Sequence, residues 1–127
     1  MEHVYNGAAA LQRHRKVGDG ECVALIQSYT KVGYTGRWRA GAPVLNNREI
    51  RSGTAIATFV NGRWPGLKRG NHAAFFLRHG VNGFWVVDQY AARQLVQSRF
   101  IEIKSPQPGQ ARSLSDDARA FYVIETP

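Results

Sequence analysis

The sequence lacks most features that identify a disulfide-stabilised, membrane-spanning or leader-bearing protein. Its one cysteine, Cys22, excludes an internal disulfide and a metal site built from several cysteines. No run approaches the ~18 consecutive apolar residues that a membrane-spanning helix requires, so no span is expected. Residues 1–6 have no basic region leading into an apolar stretch, so we expect no signal peptide and predict synthesis in the cytoplasm.

Acidic residues are also scarce. Nine Asp and Glu stand against 17 Lys and Arg, which gives a net charge of +8 among 127 residues. This balance favours an anionic partner such as nucleic acid, an anionic membrane or a cell-wall polymer. The cations are scattered, and no block of five like charges indicates a disordered nucleic-acid-binding arm. The length and the 43% hydrophobic content predict one domain spanning residues 1–127.

The order of the expected elements favours an α+β fold, with N-terminal helices packed on an antiparallel β-meander. A short helix is expected at residues 8–15, and a second runs from about residue 20 to 30 with Asp19 as its N-cap. Residues 33–53, rich in Gly, Pro and Asn, indicate a long ordered loop that carries Trp38.

From Thr54 onward the sequence pattern changes to strand, with apolar runs and, in residues 99–104, an alternation of buried and exposed positions. The expected strands are residues 54–60, 72–77, 84–89, 99–104 and 121–125, with a proline-bearing loop at 105–110 and a short turn at 113–117.

Cys22 lies in the first turn of the second predicted helix. It shares an i, i+3, i+4, i+7 stripe with Leu25, Ile26 and Tyr29, which indicates a buried face. The positive end of the helix dipole favours a thiolate there, and the free N–H groups lie where an oxyanion could be stabilised. A small buried core residue is the structural alternative.

A thiolate nucleophile needs a nearby base and a third group that holds that base. Of the histidines, His3 is terminal, His14 lies among cations and His79 lies at a hairpin end. His72 opens an apolar strand between small neighbours and is therefore the candidate base, although a strand-edge structural histidine fits the same pattern.

The register of the hairpin indicates which side chain would hold His72. A three- or five-residue connection at Gly80–Gly83 would place Asp88 on the face of His72, whereas a two- or four-residue connection would place Gln89 there. Asp88 is preferred because a carboxylate both orients an imidazole and stabilises its protonated form. Gln89 remains the alternative.

Three segments together resemble the CHAP and NlpC-type cysteine peptidase/amidase superfamily. These are Gly20–Ile26 around Cys22, Gly70–Phe76 around His72 and Val86–Gln89 around Asp88. The lack of a leader and the small basic domain also resemble amidase effectors of type VI secretion. At residue 21 the sequence has Glu, where the CHAP group often has Gln.

The resemblance implies a papain-like fold and thiol-dependent cleavage of amide bonds in peptidoglycan, with Cys22, His72 and Asp88 as the catalytic residues. It implies no metal and no cofactor. Trp38, Trp64 and Tyr90 are candidates for the wall of the substrate cleft, because loops usually carry binding residues, although each could equally cap the core. The expected partners are peptidoglycan or another anionic wall polymer and an acidic inhibitor or immunity protein. The expected route is export by a dedicated secretion system to act in the periplasm.

Two other functions fit parts of the sequence. The charge and the loop tryptophans would suit a module that binds nucleic acid or another polyanion, although no recognised nucleic-acid motif is present. An inactive family member that binds the wall or another protein would retain the fold with an unreactive Cys22.

Overall fold

The computed structural model describes residues 1–103 and 113–127. Within this part of the chain one α-helix packs on a six-stranded antiparallel sheet with the strand order β1-β6-β2-β3-β4-β5. The elements are α1 (Cys22–Tyr29), β1 (Arg39–Pro43), β2 (Ala55–Thr58), β3 (Ala73–Gly80), β4 (Gly83–Asp88), β5 (Gln97–Glu102) and β6 (Phe121–Glu125). The predicted α+β class is confirmed.

The sheet is covered on both faces, because alternate residues of its central strands enter two separate cores. On one face Leu25 and Ile26 of α1 belong to the same cluster as Ala57, Phe75 and Val87. The opposite cluster comprises Val44, Ile56, Ala74, Phe76, Phe84, Val86, Ile101, Ala118 and Phe121. Burial on both faces explains why every residue of β2 is buried.

The sheet differs from a simple meander at its C-terminal strand. Strands β2 to β5 follow one another as expected, but β6 returns to lie between β1 and β2. Strand β1 lies inside residues 33–53, which the composition had indicated as loop. Its sequence, Arg-Ala-Gly-Ala-Pro, has little strand propensity and forms a strand at the sheet edge by pairing with β6. The predicted loop at 105–110 lies outside the described residues.

Helix α1 begins two residues later than the sequence indicated. Glu21 is the N-cap residue, and the prediction of Asp19 as the cap is wrong. The Asp19 carboxylate instead accepts a hydrogen bond from the Glu21 N–H at 2.9 Å, which closes a turn ahead of the helix. The predicted buried stripe is confirmed for Cys22 and its apolar neighbours at 25 and 26.

The helix expected at residues 8–15 is shorter than predicted. A 3₁₀ turn spans Ala8–Leu11, and Arg13 then adopts a φ of 70° that no helix allows. The Arg13 N–H donates to Val96 O at 2.7 Å, so this segment pairs with the chain ahead of β5. Within residues 1–103 and 113–127, no helix has the length and apolar character to cross a membrane.

The N-terminal segment is joined to the start of β2 by backbone hydrogen bonds. Tyr5 N–H donates to Gly53 O at 2.9 Å, and Ala55 N–H donates to His3 O at 2.8 Å. Gly53 has a φ of 93°, and a Cβ at this position would collide with the Tyr5 carbonyl. Gly62 also has a positive φ, 77°, but has open space around its Cβ position.

These two glycines give a matched test of the packing at residue 53. We expect Gly53→Ala to lower the free energy of unfolding by at least ~2 kcal/mol more than Gly62→Ala, because both incur backbone strain but only the first adds a clash. Urea denaturation of both variants measures the difference. Equal destabilisation would show that the N-terminal segment yields to the added methyl group.

Candidate active site

His72 and Asp88 meet at the end of the β3–β4 hairpin opposite its turn. His72 immediately precedes β3, and Asp88 is the last residue of β4. His72 Nε2 lies 2.6 Å from Asp88 Oδ2, and both side chains are buried. Thr58, at the end of β2, fixes the backbone of His72: its hydroxyl accepts from His72 N–H at 3.0 Å, and its N–H donates to His72 O at 2.9 Å.

A β-bulge brings Asp88 to this position. Gly80 pairs with Gly83, so the hairpin has a two-residue loop, which in a regular ladder would have placed Gln89 rather than Asp88 on the face of His72. The register shifts by one residue between Phe76 and Arg78, where Leu77 is the extra residue. The hairpin therefore has the loop length that favoured Gln89. The bulge in β3 nevertheless turns His72 to the face of the hairpin that carries Asp88.

The Asp88 carboxylate is fully buried and bound by cations on both oxygens. Oδ2 accepts from His72 and from Arg99 Nε at 2.7 Å, and Oδ1 accepts from Arg93 Nη1 at 3.1 Å. Sequence reasoning missed both arginines. Arg99 did carry a signal, since it lies two residues before the buried Ile101 and therefore shares the apolar face of β5.

These contacts shift the pKa of both buried groups. Burial alone would raise the pKa of Asp88, but the hydrogen bond and charge of His72, with the nearby Arg99, lower it overall. Burial alone would lower the pKa of His72, but hydrogen bonding to Asp88 and to Cys22, with their negative charges, raises it overall. The pair therefore favours an ionised carboxylate and a protonated imidazole.

Cys22 is the first residue of α1 and is 9% exposed. Its side chain forms a hydrogen bond with the His72 imidazole, and this contact contributes to the raised pKa of His72. The first N–H groups of an α-helix have no intrahelical partner, and the cap residue Glu21 provides no side-chain hydrogen bond to them. The structure thus places a thiol, an imidazole and a carboxylate in sequence beside the first backbone N–H groups of α1.

Gln89 follows Asp88 in the sequence, but among the described residues its side chain forms hydrogen bonds with the backbone and not with His72. Its side chain is fully buried and forms hydrogen bonds with the backbone of Val17 and Glu21, in the segment that leads into α1. None of its hydrogen bonds within the described residues is to His72. The structure therefore brings Asp88 rather than Gln89 to the imidazole.

An open cleft of about 830 Å³ exposes Cys22 to solvent. Its walls include Trp64, Tyr90 and Asn71, and Lys68 and Arg69 lie at its rim. A smaller recess of about 340 Å³ adjoins it and is lined by His72, Asn71, Tyr90, Arg99, Ser115 and Asp116. Asn71 and Tyr90 line both spaces, so these two residues lie between the thiol side and the imidazole side of the site.

The aromatic residues proposed for the cleft wall divide into two groups. Trp64 and Tyr90 line the cleft, as expected. Trp38 is fully buried, donates through Nε1 to Val32 O at 3.2 Å and packs edge-on against Trp64, so the expectation of a cleft role for Trp38 is wrong. Trp38 supports the wall from behind.

Comparison with known proteins identifies the class to which this fold and site belong. Residues 4–124 match the family model of domesticated amidase effector 2. The chain is therefore a member of this amidase effector family, which confirms the predicted amidase class and the resemblance to amidase effectors.

Individual relatives agree with this assignment. The chain is 44% identical to a type VI secretion amidase effector 2 protein of Salmonella typhi, over 98% of this chain and 100% of the relative. It is 36% identical to domesticated amidase effector 2 of Ixodes scapularis, over 83% and 70% of the two chains. A solved structure of a type 6 secretion amidase effector 2 superposes with a TM-score of 0.87 at 43% identity, covering 98% and 94%.

The buried Asp88 predicts a specific dependence of stability on pH. Its lowered pKa means that the carboxylate stabilises the fold above the unfolded-state value near ~4, and that this contribution is lost as pH falls through the folded-state pKa. The raised pKa of His72 has the opposite effect. Protonated His72 stabilises the fold fully at pH values below its unfolded-state pKa of about 6.5, and this stabilisation is lost as pH rises through the folded-state pKa.

We expect Asp88→Asn to lower the free energy of unfolding by about 3 kcal/mol at neutral pH, because two arginines and an imidazole lose their buried counter-charge. The deficit should shrink toward strongly acidic pH. Urea titrations across pH measure it, with Glu2→Gln as a control that removes an exposed carboxylate paired with Arg51. A deficit independent of pH would contradict the charged assignment.

Proposed function

We propose that this protein is a thiol-dependent amidase that cleaves peptide bonds in peptidoglycan, with Cys22 as nucleophile, His72 as general base and acid, and Asp88 as the group that positions His72. The observation that carries the proposal is the buried chain of contacts from Cys22 through His72 to Asp88 at the wall of an open cleft. Membership of the amidase effector family supports it.

Acylation follows from the arrangement of these groups. The Asp88 carboxylate occupies His72 Nε2, which leaves Nδ1 as the nitrogen that serves Cys22. His72 takes the thiol proton, and the Cys22 sulfur forms a bond to the carbonyl carbon while the C=O electron pair moves onto oxygen. The oxyanion then collapses, the C–N bond breaks, and His72 protonates the departing amine. A thioester on Cys22 remains.

Deacylation uses the same groups in the reverse sense. A water molecule enters from the open cleft, and His72 removes its proton as the oxygen bonds to the thioester carbon. Collapse of the second oxyanion breaks the C–S bond and releases the carboxylic acid and the Cys22 thiolate. Throughout, Asp88 compensates the positive charge that forms on His72, and Arg93 and Arg99 keep the carboxylate ionised.

The cleft rim supports an anionic polymer as substrate. Lys68 and Arg69 are exposed beside Cys22, and Trp64 offers an apolar wall below them. Peptidoglycan carries free carboxylates along its stem peptides, so this rim would concentrate it at the thiol. We further propose export by a type VI secretion system, the system named for the Salmonella relative, and an acidic inhibitor as a partner that covers this rim.

Substitution of the proposed nucleophile and base tests the mechanism. We expect Cys22→Ala and His72→Ala each to reduce hydrolysis of purified peptidoglycan by at least ~10³-fold, because neither the thioester nor the proton transfer can then form. Release of soluble fragments, followed by liquid chromatography, measures the rate, with Ser28→Ala as an exposed control on α1.

Retained hydrolysis in the Cys22 variant would exclude the thiol mechanism. If the wild-type protein instead failed to hydrolyse the wall and bound oligonucleotides with steep salt dependence, unchanged in the Cys22 variant, the polyanion-binding alternative would replace the proposal.

Neutralising the cleft rim tests the proposed electrostatic role. We expect the double variant Lys68→Gln, Arg69→Gln to raise KM for peptidoglycan by about 3- to 10-fold at low salt with little change in kcat, because the attraction acts on binding. The control Lys31→Gln, Arg48→Gln removes two exposed cations that do not line the cleft. Equal effects of the two double variants would show that only net charge matters.

A further inference from the structure

The side chain of Gln89 is fully buried between the end of β4 and the segment that precedes α1. Its Nε2 donates to Val17 O at 2.9 Å and to Glu21 O at 2.8 Å. Its Oε1 accepts from Val17 N–H at 3.0 Å. The amide therefore uses both donors and its acceptor on the backbone of the chain that delivers Cys22.

The hydrogen bond from Gln89 Nε2 to Glu21 O fixes the orientation of the peptide group between Glu21 and Cys22. A trans peptide is planar, and its C=O and N–H point in opposite directions. Fixing the Glu21 carbonyl toward Gln89 therefore fixes the direction of the Cys22 N–H, away from Gln89. This N–H is one of the first donors of α1 and has no intrahelical partner.

Neighbouring contacts hold the same two segments together. Lys16 Nζ donates to Tyr90 O at 3.2 Å and to Ala91 O at 3.4 Å. Asp19 closes the turn onto Glu21 N–H, and Gly20 N–H donates to Val17 O at 3.1 Å. Residues 16–21 are thus anchored to residues 89–91, with Gln89 at the buried centre of the contact.

From these contacts we infer that Gln89 is a positioning residue for the oxyanion donor: it fixes the Glu21–Cys22 peptide so that the Cys22 N–H points at the oxyanion formed during acylation. This inference rests on the proposed thiol mechanism. Two successive residues at the end of β4 then have separate roles, because Asp88, the last residue of the strand, holds the imidazole and Gln89, which follows it, holds the donor beside the nucleophile.

The chemistry of the Glu21 side chain increases the importance of the Cys22 N–H as a donor to the oxyanion. An ionised carboxylate can accept but not donate hydrogen bonds, so Glu21 offers no side-chain donor to an oxyanion. The backbone N–H of Cys22 therefore carries this function, and its direction depends on what holds the Glu21 carbonyl.

Two reactions of Cys22 separate this role from a general structural one. Amide hydrolysis passes through an oxyanion, whereas alkylation by iodoacetamide occurs at a saturated carbon and forms none. We expect Gln89→Met, which keeps the length of the side chain but removes its hydrogen bonds, to lower kcat for peptidoglycan by about 10- to 100-fold. Alkylation of Cys22 should stay within about threefold of the wild-type rate.

A matched control variant and a folding check distinguish a specific effect of Gln89 from loss of the fold. Gln27→Met removes a similar amide that donates to Gly33 O at 3.1 Å, away from the cleft, and should leave both rates unchanged. Thermal melting followed by circular dichroism verifies that the variants are folded. Should Gln89→Met be unfolded, Gln89→Glu retains an acceptor for Val17 N–H and gives the same comparison.

Three results would overturn the inference. Unchanged hydrolysis in a folded Gln89 variant would show that the Cys22 donor needs no support from this side chain. An equal loss of hydrolysis and alkylation would show that Gln89 acts on the thiol or on His72 instead. Wild-type hydrolysis that does not depend on Cys22 would remove the proposed function itself, and the inference with it.

Discussion

The buried carboxylate of Asp88 is the constraint on which the rest of the site depends. A fully buried charge is tolerated only where hydrogen bonds and opposite charges compensate its lost hydration, and here His72, Arg93 and Arg99 do so. The contacts with His72 and Arg99 lower the pKa of Asp88, and the contacts with Asp88 and Cys22 raise the pKa of His72. Arg99 extends the network to Ser115 O at 3.1 Å, so the carboxylate also joins β5 to the chain ahead of β6.

The end of β4 organises the cleft through two successive side chains. Asp88 faces the imidazole, whereas Gln89 reaches the backbone that leads into α1. Because α1 packs on one face of the sheet through Leu25 and Ile26, the start of the helix is held by its apolar stripe and by these hydrogen bonds. Core packing and the geometry of the proposed reaction are therefore coupled at Cys22.

Much of this arrangement could be predicted from local pattern. The stripe from Cys22 to Tyr29 predicted α1, and the apolar run at residues 121–125 predicted β6. Strand β1 could not be predicted, because its residues have low strand propensity and its strand form depends on pairing with β6. The contact of Asp88 with His72 depends on the bulge at Leu77, and a buried apolar residue carries no local signal for a register shift. Gln89 was predicted as the alternative partner of His72 from the hairpin register, but its hydrogen-bond partners are 68 and 72 residues away along the chain.

The central claim is that the reaction passes through an acyl group on Cys22, and partitioning of this intermediate tests it most directly. Peptidoglycan is digested in the presence of hydroxylamine, which competes with water for a thioester. The account predicts hydroxamate products formed at the expense of free carboxylates, and their absence with the Cys22→Ala protein. Turnover by the wild-type protein that yields only free carboxylates at every hydroxylamine concentration would contradict it.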